Sequence, residues 1–404
     1  MTALENQQIV LGVCGGIAAY KVADLASKLV QAGAQVDVIM TAAAQRFVTP
    51  LTFAALTHRP VRTDLYADWL GDETGHVALA RTAAAVVVAP ATANTIARLA
   101  LGLSDDLLAA VALATTAPLL LVPAMEPHMY QHPATQAHLA TLRERGALIL
   151  EPGHGRLASG AHGVGRLPET SEILGALRNL LGRTGPLAGR RIVITAGGTQ
   201  EPLDPVRYIG NRSSGQMGWA LAEAALDLGA AVTLIHGPVL RPPPYGVTAV
   251  AVGTTRELEE AVRAAVPSAA ALVMAAAPAD YRPAEVATQK IKKAPDQDRF
   301  TLSLVKNPDI LAGLRDLPGT EHLVRVGFAA ETEGLLAHAR SKLAAKGLDL
   351  IVANDATSSI GAAESSAILV DVAGSEELPV QPKARTAGQI MARVVDLLRR
   401  NGHL

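Results

Sequence analysis

The sequence predicts an α/β protein of two domains, each a doubly wound, Rossmann-like parallel sheet. Three observations lead there. Short β-branched runs alternate with helical stretches in both halves, and that alternation implies right-handed crossovers between parallel strands. The alternation pauses once, at RTGPLAG (183–189), so the 404 residues divide into 1–189 and 190–404. Apolar residues make up 49% of the chain but aromatics only 3%, so the cores must be built from Ala, Val, Leu and Ile. Such a composition suits strands buried on both faces.

In the first half, IVLGV (9–13) reads as a strand, Gly15–Gly16 as a tight turn, and Ile17 to Ala32 as a helix stopped by Gly33. QVDVIM (35–40), AVVVAP (85–90), PLLLVP (118–123) and ALIL (147–150) are the next four strands. Leu107 to Met125 is uncharged and nearly long enough to span a bilayer. Pro118 and Pro123 interrupt it, and Asp105–Asp106 mark a helix start, so it reads as helix, turn and buried strand. Residues 151–167 hold five glycines and read as a flap or binding loop. In the second half, RIVIT (191–195), AVTLI (231–235), ALVMAA (271–276), LVRVGF (323–328) and DLIVA (349–353) form a second strand set.

The charge balance, 36 basic against 37 acidic residues, argues against nucleic acid and membrane surfaces as partners. Cys14 is the sole cysteine, which excludes an intrachain disulfide and a cysteine zinc cage. The start, MTALENQQ, lacks the basic and apolar regions of a signal peptide, so a cytoplasmic protein is expected.

Candidate chemistry lies where strands end, since ligands of doubly wound sheets sit beyond the carboxyl ends of the strands. Gly15, Gly16 and Ile17 in GVCGGIAAYK lead from strand to helix, where glycine amides and a helix N-terminus favour an anion. The stretch is not GxGxxG. Thr41 after the second strand, and Ala91, Thr92 and Asn94 after the third, complete three polar loops that would suit a flavin mononucleotide. His76 starts a short helix and reads either as a surface residue or as a general base. His128 and His132 stand four apart between prolines, with no distant ligand identifiable, and read as loop residues rather than a metal site.

GVCGGIAAYK, the His76 segment, APATANTIARLA and PAMEPHMY together resemble the flavin-dependent phosphopantothenoylcysteine decarboxylases, over about residues 8–180. The resemblance implies a flavodoxin-like domain binding FMN, with His76 as base and oxidation of a cysteinyl thiol preceding loss of carbon dioxide. Two positions depart from the family pattern. Glu126 stands where asparagine is usual beside the substrate carboxylate, and Ser159 stands where the flap triplet carries a cysteine acid. Serine is a far weaker acid than cysteine, so the closing reductive step is the one affected.

In the second half, TAGGTQEPLDPVRYIGNRSSGQMG (195–218) places a glycine turn, a polar loop and a helix start in one anion pocket. Six of the chain's nine lysines fall between 290 and 346, and none between 29 and 289. Lysine suits phosphate and acyl chemistry as a compact point charge, and KIKK (290–293) reads as a mobile charged flap. With AAAPADYRP, KNPDIL, GFAAET and KxxxKGLDLIVAND, these motifs resemble the phosphopantothenate–cysteine ligases over about residues 190–400. The resemblance implies CTP activation of a carboxylate, with Asn211 holding the acyl intermediate and Lys290 stabilising charge. Asp280, Asn307, Pro308, Asp309, Ile310, Phe328, Lys342 and Lys346 would surround CTP, accompanied by Mg2+.

Together the halves imply two consecutive steps of coenzyme A synthesis acting on small molecules. A homo-oligomer is expected, trimeric through the first domain and dimeric through the second. The alternative is an active ligase fused to a slow, inactive or regulatory flavin-binding domain.

Overall fold

The computed structural model describes residues 3–66, 75–292, 299–315, 317–331, 335–355 and 361–404. They form two compact units that divide between Gly182 and Arg183. Residues 183–189, expected to close the first domain, belong to the second. Leu187 is buried in its core, and its N–H donates to Leu228 C=O at 2.8 Å.

The first unit begins with β1 (Gln8–Val13), α1 (Ala19–Gln31), β2 (Gln35–Met40), α2 (Pro50–Thr57) and α3 (Gly75–Thr82). β3 (Ala85–Ala91), α4 (Ala93–Leu101), α5 (Leu107–Ala114), β4 (Leu119–Pro123), α6 (Pro127–Gln131), α7 (Pro133–Glu144) and β5 (Leu148–Ile149) follow. The five strands are parallel in the order β2-β1-β3-β4-β5, the flavodoxin-like order, with its switch point between β1 and β3. Alternation within β1 explains why both faces must be covered. Val10 joins the cluster under α4, α5 and α7, while Ile9 and Leu11 are buried as well. The apolar stretch at 107–125 resolves into α5 and β4, with Asp106 capping the helix through Ala109 N–H at 2.8 Å. Among the described residues no helix is long and apolar enough to cross a membrane.

The glycine-rich stretch 151–167 is a hairpin, not an open loop. β6 (Gly153–Arg156) and β7 (His162–Arg166) pair antiparallel, and α8 (Thr170–Gly182) closes the unit. The hairpin seats on the chain after β4. Met125 N–H donates to Gly165 C=O at 3.0 Å, and a Cβ at Gly163 would come within 2.8 Å of Pro127.

The second unit opens with β8 (Arg191–Ala196), the short hairpin β9 (Gln200–Pro202) and β10 (Tyr208–Gly210), and α9 (Gln216–Asp227). β11 (Ala231–His236), β12 (Thr248–Ala251), α10 (Thr255–Ala265), β13 (Ala271–Met274), β14 (Tyr281–Pro283), β15 (Leu304–Lys306) and α11 (Ile310–Gly313) continue it. It ends with β16 (Val324–Glu331), α12 (Leu335–Lys346), β17 (Leu350–Asp355), β18 (Glu364–Asp371), β19 (Gly374–Pro382) and α13 (Lys383–Arg400). The main sheet runs β12-β11-β8-β13-β16-β17-β18-β19, parallel as far as β17 and antiparallel beyond. Its six parallel strands have the order of a dinucleotide-binding sheet, with the switch point between β8 and β13. The β18–β19 pair was not expected. Its turn signal is DVAG, where Asp371 accepts from Ala373 and Gly374 N–H.

Close packing explains one glycine of the long motif. A Cβ at Gly218 on α9 would overlap the Cβ of Ala196 at the end of β8 and stand 3.0 Å from its Cα. Gly218→Ala should therefore destabilise the second unit by about 1–3 kcal/mol, the usual cost of overpacking. Denaturant unfolding followed by Trp219 fluorescence checks this; an unchanged midpoint would show that α9 can shift.

Candidate functional site

The first-half site is built by loops leaving β1, β2, β3 and β4. Gly15, Gly16 and Ile17, Thr41, Thr92 and Asn94, and Glu126 line one cavity of about 1090 Å3, roofed by Ser159 on the β6–β7 hairpin. Gly15 is required by close approach, because a Cβ there would overlap Ala43 in the loop after β2. A Cβ at Gly16 would meet Thr92 and Pro90 only at ordinary van der Waals contact. Thr92 caps α4 by accepting from Thr95 N–H at 3.3 Å, so that helix also opens at the cavity. A polar mouth, two helix starts and an apolar floor containing Met125 and Leu167 suit a phosphate-bearing planar ring.

Two expected residues are not in that cavity. Ala91 is fully buried within β3, and its C=O accepts from Ala124 N–H at 3.2 Å. His76 lies on α3, away from the cavity lining. Its Nδ1 is buried and has no hydrogen-bond partner among the described residues.

The two departures from the family pattern take definite places. Glu126 caps α6, accepting His128 N–H at 2.8 Å and Met129 N–H at 3.4 Å on Oε2. Part of its charge is thereby neutralised by the helix N-terminus. Ser159 is exposed in the hairpin turn, where Oγ accepts from Ala161 N–H at 3.4 Å. His132 is a helix cap, its Nδ1 accepting from Ala134 N–H at 3.2 Å. Cavity cations that sequence reading missed are Lys21, Arg98, Arg156 and Arg166. Asp105 and Asp106 pair with Arg98, and Glu169 with Arg166, whereas Lys21 and Arg156 make no ion pair among the described residues. Glu151, just before the hairpin, is held by Tyr130 and Arg143. Burial and then that carboxylate push the Tyr130 hydroxyl up to about 12, so it remains a donor.

The second-half site forms between the loops after β8 and β13. Ala277 N–H donates to Gly197 C=O at 2.8 Å, and Asn211 Nδ2 donates to Pro278 C=O at 2.9 Å. Gly198 is needed here, since a Cβ would stand 2.6 Å from Asn211 C=O. A buried polar chain fixes the same loops. Glu201 accepts from Thr255 N–H and Oγ at 2.9 and 2.8 Å, Thr255 bonds Thr199, and Thr199 accepts from Ala279 N–H at 2.9 Å. Asn307 Nδ2 then donates to Ala279 C=O at 2.8 Å, and Asn307 N–H to Asp280 C=O at 2.8 Å. Asp280, Asn307, Pro308 and Asp309 are thus brought together with Asn211.

Lys346 joins them through Asp309, at 2.9 Å. Burial alone would raise the Asp309 carboxyl, but the Lys346 hydrogen bond, the Ala312 amide and the nearby lysine charges outweigh it and hold it below the usual range. Phe328 on β16 is half-buried against the core, and Lys342 lies one turn before Lys346 on α12. Ile310 opens α11 with its side chain in the core, 3% exposed, so only its backbone is placed to meet a ligand. Lys290 is exposed, but its segment is not free as expected. The Ile291 peptide is bonded on both sides to Asp204 and Arg207. Asp204 is held far below the usual carboxylate range, chiefly by Arg207 and also by backbone amides. Lys293 lies outside the described residues.

The fold defines an α/β protein of two units, one with the flavodoxin-like strand order and one with that of a dinucleotide-binding sheet. The Flavoprotein family profile matches residues 1–182, and the DNA/pantothenate metabolism flavoprotein C-terminal domain matches residues 187–398. The coenzyme A biosynthesis bifunctional protein CoaBC of Vibrio cholerae is 45% identical over 394 residues, 97% of this chain and 98% of that relative. That of Mycobacterium tuberculosis is 48% identical over 363 residues, 86% of each chain. The solved C-terminal domain of a CoaBC protein covers 54% of this chain and is itself covered completely, at 35% identity and a TM-score of 0.47. The chain belongs to the CoaBC family of bifunctional coenzyme A biosynthesis enzymes, with a decarboxylase half and a ligase half.

Cys14 is no candidate for the missing flap thiol. It is fully buried beneath the first turn, and burial, partly offset by Thr95 and Thr92, pushes it up to about 11. The native protein should resist iodoacetamide at pH 8 and take up one equivalent once unfolded, read by intact mass. Rapid labelling of the folded chain would contradict this placement.

Proposed function

We propose that this chain's ligase half uses CTP to activate the carboxylate of 4'-phosphopantothenate, and that its decarboxylase half binds FMN to process the product. In the first step the carboxylate displaces pyrophosphate from CTP to give the acyl-cytidylate. The cysteine amine then displaces CMP to form phosphopantothenoylcysteine. Carbon dioxide is lost from that amide in the first half, leaving 4'-phosphopantetheine.

The observation carrying the first-half reading is that residues from four separated stretches, together with the hairpin, line one cavity. FMN, when bound, supplies a two-electron acceptor and donor beside the cysteinyl thiol. The Gly15–Gly16 turn and Lys21 fit its phosphate, and the loops after β2 and β3 fit its ring. Ser159 and the hairpin cover the substrate. His76, outside its own chain's cavity, acts in this reading as a base donated to a neighbouring subunit. The trimer through the first domain that the family resemblance implies would bring such a neighbour.

In the second half Asn211, fixed by Pro278, holds the acyl group, and Lys290 offsets charge as the cytidylate forms and breaks. Asp280, Asn307 and Asp309 surround the nucleotide with Lys342 and Lys346, and dimeric contacts are assigned to this half. Magnesium would enter with the triphosphate. Among the described residues no trio of His, Cys, Asp or Glu forms a cage, which fits an ion carried mainly by phosphates and water.

Supplying phosphopantothenate, CTP and cysteine, and following products by mass, tests the whole. Phosphopantetheine is expected; accumulation of the cysteine adduct would leave only the ligase working. His76→Asn should keep bound FMN and lose roughly 10²–10⁴-fold of carbon dioxide release, the scale of a missing general base. Normal decarboxylation by that variant would remove His76 from the mechanism. Lys290→Gln should retain CTP binding but ligate about 100-fold more slowly, as expected for a lost transition-state contact.

A further inference from the structure

Lys290 and Lys292 belong to no helix or strand, yet the peptide between them is held at both ends. Ile291 N–H donates to Asp204 Oδ2 at 3.1 Å, and Ile291 C=O accepts from Arg207 Nη2 at 2.8 Å. Nearby, Ala287 N–H donates to Leu203 C=O at 3.0 Å. Asp204 itself has no exposed side-chain surface. Its Oδ1 accepts from Val206 and Arg207 N–H at 2.8 and 2.9 Å, and its Oδ2 from Arg207 Nη2 at 2.6 Å and Nε at 3.0 Å. The Arg207 guanidinium is therefore committed to Asp204 and to the lysine segment.

The position of this clamp in the chain matters. Asp204 and Arg207 sit at the tip of the β9–β10 hairpin, and Asn211 follows directly on β10. One short hairpin consequently registers two residues of the ligase reading, Asn211 at its base and Lys290 at its tip. A lysine on an unsupported segment would sample many positions, and ordering it on substrate arrival would cost conformational entropy. Bonds to a sealed, ionised carboxylate are stronger than neutral ones, so they can hold such a segment in advance.

We infer that Asp204 is a positioning residue of the ligase: through Arg207 and the Ile291 peptide it fixes where Lys290 stands relative to Asn211, without touching substrate. This rests on the role of Lys290 proposed above.

Amide exchange and kinetics on the full-length protein separate the two ideas. In Asp204→Asn, exchange of the Ile291 amide should quicken about tenfold or more, the scale of a lost bond to a charged group. Ligation turnover, measured well below the thermal transition, should fall by a similar factor while CTP binding is kept; the transition itself should drop, because the carboxylate is buried and fully bonded. In a Lys290→Gln background, Asp204→Asn should cost nothing further, because the two act through one group. Arg207→Lys keeps a cation beside Asp204 but cannot span both partners, and should show the same pattern in a chain that folds. Unchanged exchange at Ile291, or losses that multiply in the double variant, would overturn the assignment. So would a turnover loss matched by lost CTP binding, which would make Asp204 only a fold residue. A fully active Lys290→Gln would remove the reading of Lys290, and with it the assignment, while Ile291 exchange would separately report whether the latch exists.

Discussion

All strands of a parallel sheet end at the same edge, and both halves of this enzyme depend on that constraint. A crossover must pass over one face or the other, and where neighbouring strands send theirs to opposite faces the loops part and leave a crevice. In the first unit this happens between β1 and β3, where the Gly15 turn and the Thr92 loop line one cavity. In the second it happens between β8 and β13, where Gly197 and Ala277 are bonded and Asn211 reaches Pro278. Each site is a consequence of strand order, and the side chains then specialise it.

The crevices are held by different means. The first is shaped by packing, with Gly15 against Ala43 and the β7 strand against Met125 and Pro127, so small residues are required where backbones meet. The second is held by a buried polar chain from Glu201 through Thr255, Thr199 and Ala279 to Asn307. Each such bond contributes about 1 kcal/mol net, yet a partner left unsatisfied inside costs about 1–3 kcal/mol, so the chain stands or falls as a unit.

Much of this was legible in advance. The ten parallel strands read from β-branched runs all formed, and Gly15, Thr41 and Thr92, expected at one edge of the sheet, line one cavity. Local pattern was enough because strand period and turn chemistry are local properties. Which way a side chain faces was less legible. Ala91 and Ile310 sit next to a loop but turn their side chains into a core, and that is invisible without the packing partner. The hairpins at 153–166 and 364–382 were missed because glycines and an alternating polar edge mimic loop composition.

The sequence alone determined the α/β class, the two-domain order, the glycine turns and the family motifs, since each is written in neighbouring residues. Which distant residues meet was decided only by tertiary structure. Asp204 finds Ile291 across 87 positions, Lys346 finds Asp309 across 37, and His76 is not among the residues that line the first-half cavity. Such meetings depend on strand order and on where loops close, and no local periodicity encodes either. The lysine cluster shows both halves of the lesson. Its charge was countable along the chain, but its anchoring at Ile291 and its pairing at Asp309 exist only in the fold.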